Sequence, residues 1–505
     1  MRQLFLWHRW LGIGLCLFMS LWFISGMVML FVGYPKLTHA EHLQSLPVLA
    51  VEADYIDVNQ AIITSGQAKP PTEVKLSSIA GKPHYLLRFP EQAVIAIDAI
   101  TGQKIDTTNQ DQALASAQAF YPAAKPEYIG RIEHDSWTLS RDLDPERPLH
   151  KIRLSDDAGR ILYISSHSGR VIRDATFQER SWGWLGAWLH WLYPFRNLSW
   201  WSKLIIYLSL GATAMAVLGQ FIGIKRWRFN RTYRSGSHSP YSHGNMRWHH
   251  LGGMLFGFLL IAWIFSGLMS MNPWNLLANK SEIDIQSFKG EALNNFNTNT
   301  TTAELIQNFQ QAGIQPRELV WNKVAGKDWV TAYDEHGQSR VQALSSTALV
   351  LQIVPFMALK HAVQSMSDTQ KFQLEWVKDY DFYYFAREQQ SMYGARERPL
   401  PILRAKFDDH AKTWIHIDPN NGVVIESIDQ NRRIARWLFN LLHSWDWQPL
   451  LDRPLLRESL IILFSIGGLI ICISGTILGW RRIRRKVNSS VKLQKFINNN
   501  QVNDI

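Results

Sequence analysis

Apolar residues along this chain gather into four stretches, residues 11–32, 201–224, 251–271 and 459–480, separated by long mixed intervals. A bilayer core is crossed by about 20 apolar residues in a helix, so each stretch predicts a membrane-spanning helix. The first follows Arg2 and Arg9, as the core of a signal peptide would. However, it is long and meets no small-residue cleavage site before Gly33, Tyr34, Pro35 and Lys36, which read as a helix exit.

The mixed intervals have a different periodicity. In the first, residues 85–97 run into Asp98-Ala99-Ile100-Thr101-Gly102, and residues 161–166 run into His167-Ser168-Gly169; both read as strand, turn, strand. In the second, residues 413–417 lead through Asp418-Pro419-Asn420-Asn421-Gly422 into residues 423–428. Asp, Asn and Ser bond their own backbone in such turns, and Gly takes the positive φ. Helices are predicted over 58–65, 113–120 and 303–312. The expected fold class is a membrane protein with four transmembrane helices in an internally duplicated bundle and two large α+β domains built on antiparallel sheets. Its segments are 1–33 (terminus and first helix), 34–182 (first domain), 183–224 (interfacial segment and second helix), 225–250 (loop), 251–271 (third helix), 272–436 (second domain), 437–480 (interfacial segment and fourth helix) and 481–505 (basic tail).

Charge supplies the orientation. The 505 residues carry a formal net charge of +11. Fifteen Lys and Arg lie in the first nine residues, the loop 225–250 and the tail 481–505, against a single acid, Asp504. The positive-inside rule puts both termini and this loop in the cytoplasm and both large intervals outside, as for a multi-pass protein of a bacterial inner membrane. Each basic cluster abuts a membrane helix, so anionic lipid is its expected neighbour and nucleic acid is not. Only two cysteines occur, Cys16 and Cys472, both within membrane helices. No disulfide is expected outside the membrane, and no Cys-x-x-Cys-His pattern exists to attach a haem covalently.

A repeat emerges when residue i is compared with i+241: Trp7, His8, Gly12, Trp22, Ser25 and Gly26 meet Trp248, His249, Gly253, Trp263, Ser266 and Gly267 without a gap. An offset of 253 aligns Trp184, Leu185, Leu189 and His190 with Trp437, Leu438, Leu442 and His443. The His-x-x-Leu-Gly opening at His8 to Gly12, the run 248–274 that starts Trp-His-His-Leu-Gly-Gly, the Leu-His entries at His190 and His443 and the Asp-x-x-x-Gly hairpins together resemble the PepSY-associated transmembrane helix family, over essentially the whole chain. This resemblance implies PepSY-like domains outside the membrane. It also implies one of two roles: a two-haem reductase of siderophore-bound iron, or a protein with a regulatory role toward a peptidase.

Of the 17 histidines, most lie in the mixed intervals or the loop and read as ordinary surface or core residues. His8, His249, His190 and His443 stand apart because they form repeat-related pairs at helix entrances. If the halves pack about an axis along the membrane normal, His8 would face His249 on the cytoplasmic side and His190 would face His443 on the outer side. Each pair would then hold one b-type haem through two axial imidazoles, giving two haems in all. His250 is the alternative to His249, because matching Leu11-Gly12 to Leu251-Gly252 shifts the register by one. Gly12, Gly26, Gly253 and Gly267 would permit close helix packing. Trp182, Trp184, Trp188, Trp191, Trp200, Trp201, Trp437, Trp445 and Trp447 suit an interfacial belt, part of which would line the outer haem. Arg141, Arg196, Arg396 and Arg398 are the cations available to attract an anionic ferric chelate.

Bis-histidine irons have no open position and suit electron transfer. The leading expectation is therefore passage of electrons across the membrane, and the resemblance implies a ferric siderophore or another ferric chelate as their acceptor. A separate donor is required, whether a quinol, a reductase or a small reductant, because no Gly-x-Gly-x-x-Gly strand-helix unit is present. No catalytic residue and no metal site beyond haem iron is assigned. The alternative is a non-enzymatic membrane-anchored binding protein that engages a peptidase, peptide or transporter. A transporter is disfavoured because the middles of the four helices lack ionisable relays.

Overall fold

The structure is a computed structural model. It describes residues 1–502 apart from 298, 345–348, 393 and 395, with backbone only over 491–502. The chain forms two compact units: Met1–Val32 with Trp184–Ala278 and Ile434–Ile505, and Gly33–Gly183 with Asn279–Arg433.

The first is a membrane unit. Four helices, Arg2–Met29, Trp201–Arg226, Gly244–Ser270 and Pro454–Val502, are long and apolar enough to cross a bilayer. Their apolar residues point in all directions, as expected when lipid rather than water surrounds the bundle. The buried seam between them is made of Cys16, Met19, Phe23, Ala212, Met215, Leu260, Trp263, Ile264, Ile461 and Cys472. Several glycines allow the close approach: a Cβ on Gly467 would fall 2.5 Å from the Phe256 ring, and one on Gly468 would fall 2.4 Å from Phe23. The fourth helix continues well past the apolar stretch that predicted it, because Arg481 to Lys486 extend it as a solvated basic helix.

The second unit is built from antiparallel sheets. Strands β1 (Glu73–Ile79), β2 (Lys82–Arg88) and β3 (Ile95–Asp98) of the first interval join β8 (Glu318–Val324), β9 (Lys327–Tyr333), β10 (Ser339–Ala343) and β11 (Val350–Leu351) of the second in one seven-stranded sheet, ordered β11-β10-β9-β8-β1-β2-β3. Two four-stranded meanders complete the unit: β4 (Pro126–Ile132), β5 (Leu149–Leu154), β6 (Ile161–Ser165) and β7 (Val171–Ala175), then β12 (Phe372–Val377), β13 (Ile402–Phe407), β14 (Trp414–Asp418) and β15 (Val423–Ile428). The intervals read as two domains thus meet in a shared sheet. At the seam Val74 opposes Trp321, Lys75 opposes Val320 and Leu76 opposes Leu319.

The hairpins β6–β7 and β14–β15 and the helices Val58–Thr64, Gln110–Phe120 and Thr302–Gln311 lie where turn and periodicity signals put them. Their starts have a local cause. Asn109 and Thr301 each form a capping box with the third helical residue, Gln112 and Glu304. One expectation is corrected: residues 85–97 are two strands, β2 and β3, because Pro90 and Glu91, the latter at φ +57°, break the run. The loss of a ladder donor at proline and the left-handed turn at Glu91 end β2 early.

Candidate functional site

The four repeat-related histidines come together as two pairs in the membrane unit. The ring centres of His8 and His249 are 6.1 Å apart, and those of His190 and His443 are 6.2 Å apart. His250, the alternative to His249, is directed elsewhere. Its Nδ1 meets the Ser239 hydroxyl at 2.8 Å, its Nε2 donates to the Gly223 carbonyl at 3.0 Å, and its ring packs against Trp227 and Tyr241.

The hydrogen bonds decide how each ring is used. His8 Nδ1 lies 3.0 Å from the Met215 carbonyl, and His249 Nδ1 lies 3.0 Å from the Ile471 carbonyl and 3.2 Å from Ser474 Oγ. A carbonyl only accepts, so both Nδ1 atoms carry hydrogen. His190 Nδ1 lies 3.0 Å from Ser25 Oγ, whose proton goes to the Leu21 carbonyl at 2.7 Å. His443 Nδ1 lies 3.1 Å from Ser266 Oγ, whose proton goes to the Trp263 carbonyl at 2.8 Å. Each hydroxyl therefore accepts from its histidine. In all four rings the lone pair is left on Nε2, and no group among the described residues hydrogen-bonds it.

Each ring also has a backbone anchor or a glycine cradle. Trp22 Nε1 donates to the His190 carbonyl at 3.1 Å, and Trp263 Nε1 donates to the His443 carbonyl at 3.0 Å. Two residues after each of these histidines comes a non-glycine residue in the left-handed region, Leu192 at φ +51° and Trp445 at φ +55°. The left-handed residue turns the chain out of the short helix that carries the histidine. His8 and His249 reach their carbonyls across Gly219 and Gly475, each one helical turn beyond the accepting residue. A Cβ there would fall 2.5 Å from His8 Cε1 and 3.2 Å from His249 Cε1. Gly26 and Gly267 lie against the other pair at ordinary contact, 3.5 and 3.7 Å from His190 and His443 Cε1. Gly12 and Gly253 do not share this role: a Cβ on Gly12 would meet only Cys16 and Met215 Sδ at 3.7 Å, and one on Gly253 would meet nothing within 4 Å.

A metal ion between two imidazoles, bonded to each at about 2 Å, needs ring centres roughly 6 Å apart. Both pairs have this spacing and present Nε2 lone pairs, so they fit a bis-histidine cofactor. Seventeen residues separate His8 from Ser25 on the first helix, which at 1.5 Å per residue puts the pairs about 25 Å apart along the bundle, near its two ends.

Ser25, Ser266, Trp22 and Trp263 were visible in the sequence as repeat identities, although nothing there assigned them to the histidines. Gly219 and Gly475 carried a further signal: an offset of 256 aligns Ser209, Gly211, Gly219, Gly223 and Arg226 with Ser465, Gly467, Gly475, Gly479 and Arg482. Of the cations considered for a chelate, Arg398 is held by Glu426 at 2.7 Å, and Arg196 stacks on Trp201 at 4.3 Å.

These features define a membrane protein with paired histidines inside a helical bundle. A family model for the PepSY-associated TM region matches residues 5–305, and the chain belongs to that family. A search of curated proteins returned no match.

Proposed function

We propose that this protein is a two-haem electron-transfer protein of a bacterial inner membrane, passing electrons from the cytoplasmic or membrane side to a ferric chelate of the siderophore class in the periplasm. The observation that carries this reading is the presence of two histidine pairs at opposite ends of one bundle, each spaced for a shared metal and each with Nε2 left as a lone pair. His8 and His249 would hold the cytoplasmic-side haem, and His190 and His443 the periplasmic-side one. Haem bound there supplies one-electron chemistry without an open coordination position.

The chain's own residues account for the rest. The Met215 and Ile471 carbonyls and the Ser25 and Ser266 hydroxyls keep hydrogen on Nδ1, so every Nε2 can ligate. Trp22 and Trp263 hold the outer histidine backbones in place, and the seam around Cys16, Met19, Phe23 and Cys472 excludes water between the two ends. The fifteen-to-one excess of basic residues in the termini and middle loop supports an outward orientation for the sheet-bearing unit. The repeated contacts at offsets 241 and 253 support an origin by internal duplication. Reduction releases a chelated metal because Fe(II) is held more weakly than Fe(III) by hard oxygen ligands. The donor would be a quinol, a reductase or a small reductant.

Absorption spectra of the purified protein, oxidised and dithionite-reduced, test the reading. Sharp reduced bands with two haems per chain are expected, and His190→Ala or His443→Ala should remove one haem while sparing the other. Well-folded protein from haem-replete cells with no such bands would overturn it and favour a membrane-anchored binding protein instead.

A further inference from the structure

The two histidine pairs differ in what accepts from Nδ1. His8 donates to a main-chain carbonyl alone, and His249 to a carbonyl at 3.0 Å with a hydroxyl at 3.2 Å. His190 donates to a hydroxyl at 3.0 Å with the Trp22 carbonyl as a further acceptor, and His443 to a hydroxyl at 3.1 Å with the Trp263 carbonyl more distant at 3.3 Å, so at this end the hydroxyl is the nearer partner. An amide carbonyl is a stronger acceptor than an alcohol oxygen. The stronger the acceptor, the more basic the opposite nitrogen becomes as a metal ligand, and a more basic ligand favours the higher oxidation state.

Building on the two-haem reading, we propose that Ser25 and Ser266 are positioning residues that set the potential of the outer haem above that of the inner one, so that electron flow toward the outer pair is downhill. Both hydroxyls are almost completely buried, Ser25 at 1% and Ser266 at 0% exposure, so no bulk water substitutes for them as acceptor. The nearest carboxylate in sequence, Asp446, places a negative charge near His443, which the buried Arg436 and Arg457 at 3.6 and 3.9 Å from it partly offset. Outward electron transfer thereby has a direction written into hydrogen bonds that the repeat conserves within each end and varies between ends. With haem held at both pairs, the exchange would be of one electron, lost by the inner iron and gained by the outer, and the four histidines would keep their Nδ1–H throughout, so no proton would move.

The test is a spectroscopic redox titration of the full-length protein in detergent, read by haem absorbance without any substrate. Wild type should show two waves, and His190→Ala should abolish the upper one. The double variant Ser25→Ala/Ser266→Ala should keep two haems, move the upper wave further up because its ligands lose an acceptor, and leave the lower wave in place. The double variant to Thr should restore the wild-type position. Two haems that titrate as one wave, an upper wave that belongs to the His8 and His249 pair, or an alanine variant whose upper wave does not move or disappears would each overturn the proposal while leaving the two-haem reading intact. Absence of haem from wild type would instead overturn that reading.

Discussion

Single residues decide whether the histidine pairs can form. Gly219→Ala places a methyl within 2.5 Å of His8 Cε1, so it should displace the ring and halve the reduced haem absorbance. By intrinsic helix propensity alone the same change favours a helix by up to about 1 kcal/mol, so loss of haem would report the steric contact rather than a weakened helix. Gly253→Ala, which meets nothing within 4 Å, should retain both haems. A second residue-scale effect lies in the sheet-bearing unit. Glu318 is buried in β8, and His39 bonds it at 3.1 Å and Glu397 at 2.8 Å. Burial disfavours a charged His39, but these two carboxylates outweigh it and raise its pKa from 6.5 to about 9. A raised pKa means that the folded state holds the proton more tightly than the unfolded chain. The stabilisation, on the order of 3 kcal/mol, is therefore complete below pH 6.5 and lost as the pH climbs through about 9. Thermal unfolding of the full chain should show this loss between pH 7 and 10, and His39→Gln should flatten the dependence.

At the scale of elements, pairing of β1 with β8 joins chain segments more than two hundred residues apart. Leu76 and Leu319 are directly opposed and fully inaccessible, in a core with Val74, Tyr85, Leu305 and Phe309. Leu76→Ala or Leu319→Ala should each cost about 2–5 kcal/mol. Limited proteolysis should then open both intervals together, since one core serves both; cleavage confined to the mutated interval would contradict this. The helices and hairpins of this unit were legible because their causes are local: capping at Asn109 and Thr301, and turn residues at 418–422. The β1–β8 seam was not, because its partners carry the same alternating pattern as any half-buried strand and nothing in either segment names the other.

Across the whole molecule, charge asymmetry makes a topological prediction. Cys16 and Cys472 are buried in the membrane unit, so introduced cysteines would be labelled over a low background. A cysteine at exposed Ser235 of the middle loop should react with an impermeant reagent only from the cytoplasmic side, and one at exposed Lys69 of the sheet-bearing unit only from the other. Labelling of both from one side would refute the orientation.

Four apolar runs and the motifs at their ends were enough to establish from sequence the number of long apolar helices and the family, and two repeat offsets singled out the histidines that the structure brings together, because hydropathy and matched spacings are written in linear order. That His249 and not its neighbour His250 lies against His8 is a matter of tertiary structure, since adjacent residues on a helix differ by about 100° in direction and His250, itself buried, turns to Gly223 on the second helix. The glycine cradles, the serine and carbonyl acceptors and the shared seven-stranded sheet likewise arise from contacts between segments far apart in the chain, where no local pattern specifies the partner.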